Sequence, residues 1–173
     1  STSTWARRLA ARPSSTPAAT ARTTTLGRVA SARATAPATW GVAMEVPPTA
    51  VVATDVFDEF LDQNRLREQV IGAEVRDEDV VRLFLDHKLP EHVVEDLTAF
   101  LEQVHYPIAV RSSSLLEDSQ YQPFAGVYAT YMLPNSHETL GVRLDQLCDA
   151  IKLVYASVFQ QGARAYLEAS GSR

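Results

Sequence analysis

Apolar residues recur at helical spacing in several stretches after about residue 55, and each such stretch predicts a helix. The first helix follows Asp55, whose side chain favours an N-cap position. The second is expected over residues 77–87, where three acidic residues come first and match the positive end of a helix. The third is expected over residues 90–104, with proline in its first turn. Their predicted inward faces consist of Val56, Phe57, Phe60 and Leu61; Val80, Val81, Phe84 and Leu85; and Val93, Val94, Leu97, Phe100, Leu101 and Val104.

A fourth and longer helix is expected to reach about Leu167. Asn135 followed three residues later by Glu138 is typical of a capping box at its start. Its inward face is predicted to carry Leu140, Leu144, Leu147, Ile151, Val154, Tyr155, Val158 and Phe159. Three short β-branched or apolar runs predict strands over residues 46–54, 108–110 and 126–133, the last of them buried on both faces. These elements indicate an α+β fold whose strands are too few to close a sheet alone.

Residues 1–43 differ in composition from residues 44–173, and we treat the two as separate segments. No acidic residue precedes Glu45, whereas Arg7, Arg8, Arg12, Arg22, Arg28 and Arg33 all do. The segment is rich in Ala, Thr, Ser and Pro and has no sustained apolar period, so disorder is the expected state. An organelle transit peptide has the same composition and stays open as an alternative.

Charge and composition exclude some functions for the second segment. All 21 acidic residues lie from Glu45 onward, and such an acidic domain is a poor binder of nucleic acid. No apolar run is long enough to span a bilayer. The lone Cys148 lies within the apolar face of the fourth helix, which predicts a buried thiol and fits a cytoplasmic, reducing location. The histidines have no spacing typical of metal ligands.

Arg111 is the candidate functional residue, because it is expected at the end of the short strand 108–110. Ser112, Ser113 and Ser114 follow it, and Gly126 would allow close approach of a ligand to the backbone. A guanidinium offers a planar set of donors to a phosphate, and hydroxyls and backbone N–H groups can add others. The alternative is an ordinary ion pair between Arg111 and an acid such as Glu117 or Asp118.

The residues around Arg111 resemble a known family signature. Pro107-Ile108-Ala109-Val110-Arg111-Ser112-Ser113-Ser114, then Glu117-Asp118, Phe124-Ala125-Gly126 and Thr130-Tyr131, is similar to the nucleotide-binding domain of phosphoenolpyruvate synthases, pyruvate phosphate dikinases and rifampicin phosphotransferases. The resemblance extends back to Val46-Pro47-Pro48 and forward through Ala150-Ile151 and Ser157-Val158-Phe159 to Ala163-Arg164-Ala165-Tyr166, so it covers about residues 45–170.

The resemblance implies a partial ATP-grasp-type lobe that binds ATP. Arg111 would contact the phosphates and stabilise charge on the transferred group, with Gly126 and Thr130 lining the nucleotide site and Ser112 and Ser113 as supporting donors. The parent enzyme would move phosphate from ATP through a phosphohistidine carrier to pyruvate or a similar acceptor. Mg²⁺ would be held mainly by residues outside this chain, and the fragment alone would be inactive.

The chain departs from the family pattern at several positions, and one departure, the missing lysine, favours a rival interpretation. The family has a G-x-K-G segment upstream, whereas the lysines here are Lys88 and Lys152, both expected on helices and solvated. Thr49 stands in place of a glycine, and Tyr155 in place of a tryptophan. A non-catalytic nucleotide-binding or regulatory module would fit the missing lysine. Alternatively, residues 1–43 come from a shifted reading frame that replaced the lysine segment.

Overall fold

The computed structural model describes residues 20–26, 29–39, 42–71, 75–113 and 128–169, with side-chain environments given between residues 49 and 165 of these ranges. Within them the strands are β1 Thr20–Leu26, β2 Val29–Thr39, β3 Val42–Val52, β4 Ile108–Arg111 and β5 Thr130–Leu133. The helices are α1 Thr54–Gln63, α2 Leu66–Val70, α3 Asp77–Leu85, α4 Glu91–Gln103, α5 Leu140–Ser157 and α6 Gln161–Ala169. The mixture of helices with small antiparallel sheets confirms the α+β class.

The first sheet lies partly where the sequence predicts disorder. Strands β1, β2 and β3 pair in that order, all antiparallel, with Thr20 opposite Thr35 and Val29 opposite Val52. Residues 20–26 and 29–39 thus have extended backbone within the segment for which the sequence predicts disorder. Threonine and valine favour extended backbone, and pairing satisfies the N–H and C=O groups of a segment that has few large apolar side chains to bury. Residues 1–19 lie outside the described part of the chain.

The core lies between α1, α3, α4 and α5, and its composition confirms most of the predicted inward faces. Phe60 of α1 and Phe84 of α3 are fully buried, with ring centroids 5.7 Å apart. α4 contributes the buried residues Val93, Leu97, Phe100 and Leu101, and α5 contributes Leu147 and Ile151. The α3 and α4 boundaries fall close to those predicted, because acidic residues begin one helix and Pro90 immediately precedes the other.

The fourth predicted helix differs from the structure at its start and in its middle. α5 begins at Leu140 after Thr139, and Asn135 lies outside it with φ of 52°, so the predicted capping box does not form. Asparagine tolerates this left-handed conformation better than most residues, which suits a turn rather than a helix cap. The helix also ends at Ser157, and α6 starts separately at Gln161, whose backbone N–H donates to the Asp77 carboxylate at 2.8 Å.

Two further expectations need correction. Lys152 is 8% exposed rather than solvated, because its ammonium donates to the Leu85 carbonyl at 3.0 Å and pairs with Asp149 at 2.8 Å. Strand β5 is not buried on both faces: exposed and half-buried residues alternate along it, and Met132 is 70% exposed. Strand β5 starts at Thr130, and residues 126 and 127 of the predicted strand lie outside the described ranges. Among the described helices, none has the length and apolar character needed to cross a bilayer.

Candidate functional site

Strands β4 and β5 bring two of the predicted site residues together. They pair antiparallel, with Ile108 opposite Leu133 at one end of the ladder and Arg111 opposite Thr130 at the other. Directly opposed residues in an antiparallel pair have their Cβ atoms about 5 Å apart and on the same face. The guanidinium and the Thr130 hydroxyl therefore share one face of the ladder, although 18 residues separate them in sequence.

The two faces of this ladder differ in exposure. Ala109, Arg111, Thr130 and Met132 are exposed and form what we call the outer face. Ile108, Val110 and Leu133 are half-buried and pack against the core, and Tyr131 is half-buried beside them in register. The alternation follows from the two-residue period of a strand, and it places Tyr131 beside Val110 on the inner face. The outer face thus presents a cation, a hydroxyl and a thioether to solvent.

Arg111 and the serines after it lie at the exposed end of the ladder. The Arg111 Nε donates to the Ser112 carbonyl at 3.3 Å. Ser112 is half-buried and Ser113 is exposed. Gly126, together with Glu117 and Asp118 as the alternative partners of Arg111, lies outside the described residues. The structure therefore brings Arg111, Ser112, Ser113 and Thr130 to one end of β4–β5 and leaves the place of Gly126 a prediction.

The opposite end of the ladder is held by two buried polar residues that sequence reasoning missed. The Asn135 amide donates to the carbonyls of Val104 and Tyr106 at 2.9 and 3.0 Å. The Arg143 guanidinium donates to the carbonyls of Leu101 and Val104, both at 3.1 Å, and to the Asn135 side-chain oxygen at 3.3 Å. We call these two side chains the Asn135–Arg143 cluster.

The Asn135–Arg143 cluster fixes how the chain enters β4 and leaves β5. Asn135 is 4% exposed and Arg143 is 7% exposed, so each of their hydrogen bonds replaces contact with water that is no longer available. The bonded carbonyls close α4 and precede β4, while Asn135 itself follows β5. A sequence signal existed: Arg143 is three residues after Leu140 and four before Leu147, on the inward face of the helix.

The Arg111 end of the ladder is also joined to α5. The Ala129 N–H, one residue before β5, donates to the Ser157 hydroxyl at 3.2 Å. Ser157 is 2% exposed and is the last residue of α5. Side chains of the same helix therefore form hydrogen bonds with residues that flank both ends of the ladder.

Other polar groups do not build a second site in the described residues. Cys148 is half-buried rather than fully buried, and burial raises the pKa of its thiol from 9.0 to about 11, so the thiol is neutral at physiological pH. No cluster of His, Cys, Asp and Glu in the described ranges could hold a metal ion. An open depression of about 460 Å³ lies at the start of α5, beside Pro134, Ser136 and His137, at the far end of the ladder from Arg111.

Comparison with known proteins connects these residues with a family. The family model described as pyruvate phosphate dikinase, AMP/ATP-binding domain, matches residues 24–173. The match begins at residue 24, upstream of residue 45, at which the resemblance carried by the sequence motifs begins. It therefore includes the last three residues of β1 and all of β2. A probable phosphoenolpyruvate synthase from Methanocaldococcus jannaschii is 27% identical in an alignment over 151 residues, and the match covers 76% of this chain and 12% of that protein. No solved structure matches the chain significantly.

Proposed function

We propose, because the chain belongs to the pyruvate phosphate dikinase AMP/ATP-binding domain family, that the outer face of β4–β5 binds the phosphates of ATP. The observation that carries this proposal is the pairing of Arg111 with Thr130 on an exposed face. A cation and a hydroxyl on directly opposed residues, whose Cβ atoms lie about 5 Å apart, can donate to neighbouring oxygens of one polyphosphate. Arg111 provides charge and directional donors, and Thr130, Ser112 and Ser113 provide smaller donors around it.

The arrangement suits phosphate transfer as well as binding. In phosphoryl transfer the protein contributes mainly position and compensating charge, since the covalent chemistry takes place between phosphate oxygens. Arg111, exposed at a strand end, can follow the phosphate as negative charge redistributes. Gly126 is proposed to line the same site, where it would leave room for the nucleotide.

We further propose that the chain is the ATP-binding part of a larger phosphotransferase. The chain spans 12% of the length of the probable phosphoenolpyruvate synthase it resembles, so the phosphohistidine carrier and the pyruvate acceptor belong to the proposal for the whole protein. That this lobe is of the ATP-grasp type is also part of the proposal. Magnesium would be held mainly by residues outside this chain, and the described residues contain no group of three or more His, Cys, Asp or Glu side chains able to hold a metal ion. No step of the proposed reaction is assigned to a metal bound by this part of the chain.

One observation favours a second candidate, a nucleotide-binding module without turnover. The ammonium of Lys152 is bound to the Leu85 carbonyl in the interior, and Lys88 is exposed on the segment that follows α3. Neither lies on β4 or β5, so neither takes the role of a phosphate-binding lysine on the outer face. A module of this kind would retain the nucleotide and lack part of the machinery that transfers its phosphate.

Isothermal titration calorimetry of the whole chain with ATP, AMP and tripolyphosphate tests the proposal. We expect Arg111→Ala to weaken ATP and tripolyphosphate binding by about 10- to 100-fold, as the loss of a charge-assisted hydrogen bond predicts. AMP, with a single phosphate, should lose less. Arg82→Ala is the matched control, because Arg82 is an exposed arginine on α3, away from β4 and β5.

The outcomes separate the two candidates and the site assignment. If ATP binds much more tightly than AMP and only Arg111→Ala removes the difference, the phosphotransferase origin is supported. If ATP and AMP bind equally and both depend weakly on Arg111, the binding module is favoured. If Arg111→Ala and Arg82→Ala change ATP binding equally, Arg111 is not the phosphate contact.

A further inference from the structure

The Ser157 hydroxyl makes two hydrogen bonds that connect α5 with the start of β5. Its Oγ lies 2.7 Å from the Val154 carbonyl within the same helix and 3.2 Å from the Ala129 backbone nitrogen. Only 2% of Ser157 is exposed, so water does not compete for either bond. The connection lies in the interior, beneath the end of the ladder that carries the candidate site.

The roles of donor and acceptor are fixed at this hydroxyl. A serine hydroxyl has one proton and two lone pairs. The Val154 carbonyl can only accept, so it takes the proton, and the lone pairs then face the Ala129 N–H. Because the donated bond sets the orientation of the hydroxyl, Ser157 presents an acceptor to β5 at one defined position.

The residue that Ser157 binds is adjacent in sequence to the candidate site. Ala129 immediately precedes Thr130, which is paired with Arg111 across the ladder. Without an acceptor at Ser157, the half-buried Ala129 amide would lose its partner, and β5 would begin without this connection to α5. Displacement of Thr130 by even part of an ångström would change its distance from any phosphate held by Arg111.

We infer that Ser157 is a positioning residue for the nucleotide site, acting through Ala129 on the Arg111–Thr130 pair. The inference rests on the proposed function and adds a residue that does not touch the nucleotide. It predicts that Ser157→Ala, which removes one buried hydroxyl, weakens phosphate binding by more than the accompanying loss of stability would account for.

Two matched controls separate positioning from general stabilisation. Thr98 on α4 donates its hydroxyl to the Val94 carbonyl at 2.7 Å, the same kind of bond to its own helix, so Thr98→Val removes a comparable hydroxyl far from β5. Lys152 lies in α5 with Ser157 and binds the Leu85 carbonyl, so Lys152→Met disturbs that helix at a contact with α3. Both variants should lower the melting temperature of the chain.

The experiment measures ATP and tripolyphosphate affinity for Ser157→Ala, Thr98→Val, Lys152→Met and Arg111→Ala at a temperature where each variant is fully folded. We expect Ser157→Ala to weaken both ligands by about five- to tenfold. Thr98→Val and Lys152→Met should stay within about twofold of the unchanged chain, whatever their melting temperatures. Ser157→Thr, which keeps the hydroxyl, should restore most of the affinity.

Amide hydrogen exchange on the unchanged chain gives an independent measurement if Ser157→Ala does not fold. The Ala129 amide should be protected, and saturating ATP should slow its exchange further while leaving the Val94–Thr98 segment unaffected. If Arg111→Ala abolishes binding but Ser157→Ala behaves like Thr98→Val, the positioning role is refuted and the proposed function stands. If Arg111→Ala has no effect, the proposed function fails and the positioning role fails with it. An Ala129 amide that exchanges as fast as an exposed one also overturns the inference.

Discussion

Replacement of Tyr155 by phenylalanine should stabilise the protein. Tyr155 lies on the inner side of α5, with its ring centroid 4.7 Å from that of Phe57 and 5.9 Å from that of Phe60. Its hydroxyl is buried and has no hydrogen-bond partner among the described residues. The substitution keeps the ring and its aromatic contacts and removes only the unpaired oxygen.

The size of the gain follows from two opposing effects. Burial of a hydroxyl without a partner costs about 1–3 kcal/mol in proteins. Removal of the oxygen leaves a gap of roughly 15 Å³, which at about 24 cal/mol per Å³ costs about 0.4 kcal/mol. We therefore expect a net gain of about 1 kcal/mol in the free energy of unfolding. For a chain of this length that corresponds to a rise of about 2–4 °C in melting temperature.

Urea unfolding of both proteins at pH 7 and between pH 9 and pH 11 provides the assay. Burial, with a smaller contribution from Asp55, raises the pKa of Tyr155 above its ordinary value of 10.0. In the unfolded chain the phenol ionises near pH 10, whereas in the folded chain it stays protonated. The stability that Tyr155 contributes is thus fully present below pH 10 and falls as the pH rises beyond it. The advantage of Tyr155→Phe should accordingly grow above pH 10.

The other tyrosines are common to both proteins, so the difference between them isolates residue 155. A loss of 0.5 kcal/mol or more at pH 7 would show that the hydroxyl has a partner, such as a bound water. A difference that stays constant above pH 10 would show that the phenol ionises freely in the folded state. Either result would refute the reasoning from burial.

Two other consequences of burial can be measured. Because burial raises the pKa of Cys148 from 9.0 to about 11, alkylation of this thiol by iodoacetamide should reach half its maximal rate near pH 11 in the folded protein, and about two pH units lower in urea. A folded-state midpoint near pH 9 would contradict this. Arg143→Met should cost about 2–4 kcal/mol of stability, since it leaves buried carbonyls and the Asn135 oxygen without a donor. In a double-mutant cycle with Asn135→Ala, strict additivity would show that the two side chains do not act together.

Much of the helical core could be predicted from the sequence because its signal is periodic and local. Val80 and Phe84 on α3, and Val93, Leu97 and Leu101 on α4, are buried where helical spacing places them. The short helix α2 was missed because five residues, Leu66–Val70, are too few to show a period. Strands β1 and β2 were missed for a different reason, whereas β3 overlaps the strand predicted over residues 46–54. β1 and β2 lie in a segment of small and hydroxyl residues that shows no sustained apolar period.

For the candidate site too, the sequence predicts the local features but not the contacts between distant parts of the chain. Arg111 at a strand end could be predicted from local pattern and family resemblance, but its pairing with Thr130 depends on the register of two strands 18 residues apart. The burial of Lys152 could not be predicted, because the Leu85 carbonyl that binds its ammonium comes from a helix 67 residues away. A charged residue on a helix is ordinarily solvated, and only the tertiary structure shows when a helix end from elsewhere in the chain satisfies it.

The family resemblance has two parts, one around Arg111 and one within α5. Contacts between α5 and the strands β4 and β5 give a physical reason why the two parts occur together. The inner side of β4–β5 packs toward the core that α5 helps to form, and Arg143 and Ser157 of α5 bond near opposite ends of the ladder. A change in α5 can therefore displace Arg111 without touching it. This coupling accounts for a family pattern that includes the Ser157 region together with the arginine motif. It also predicts that substitutions of Arg143 and Ser157, the two α5 residues that bond near the ladder, will lower phosphate affinity more than equally destabilising substitutions in α3 or at Lys152.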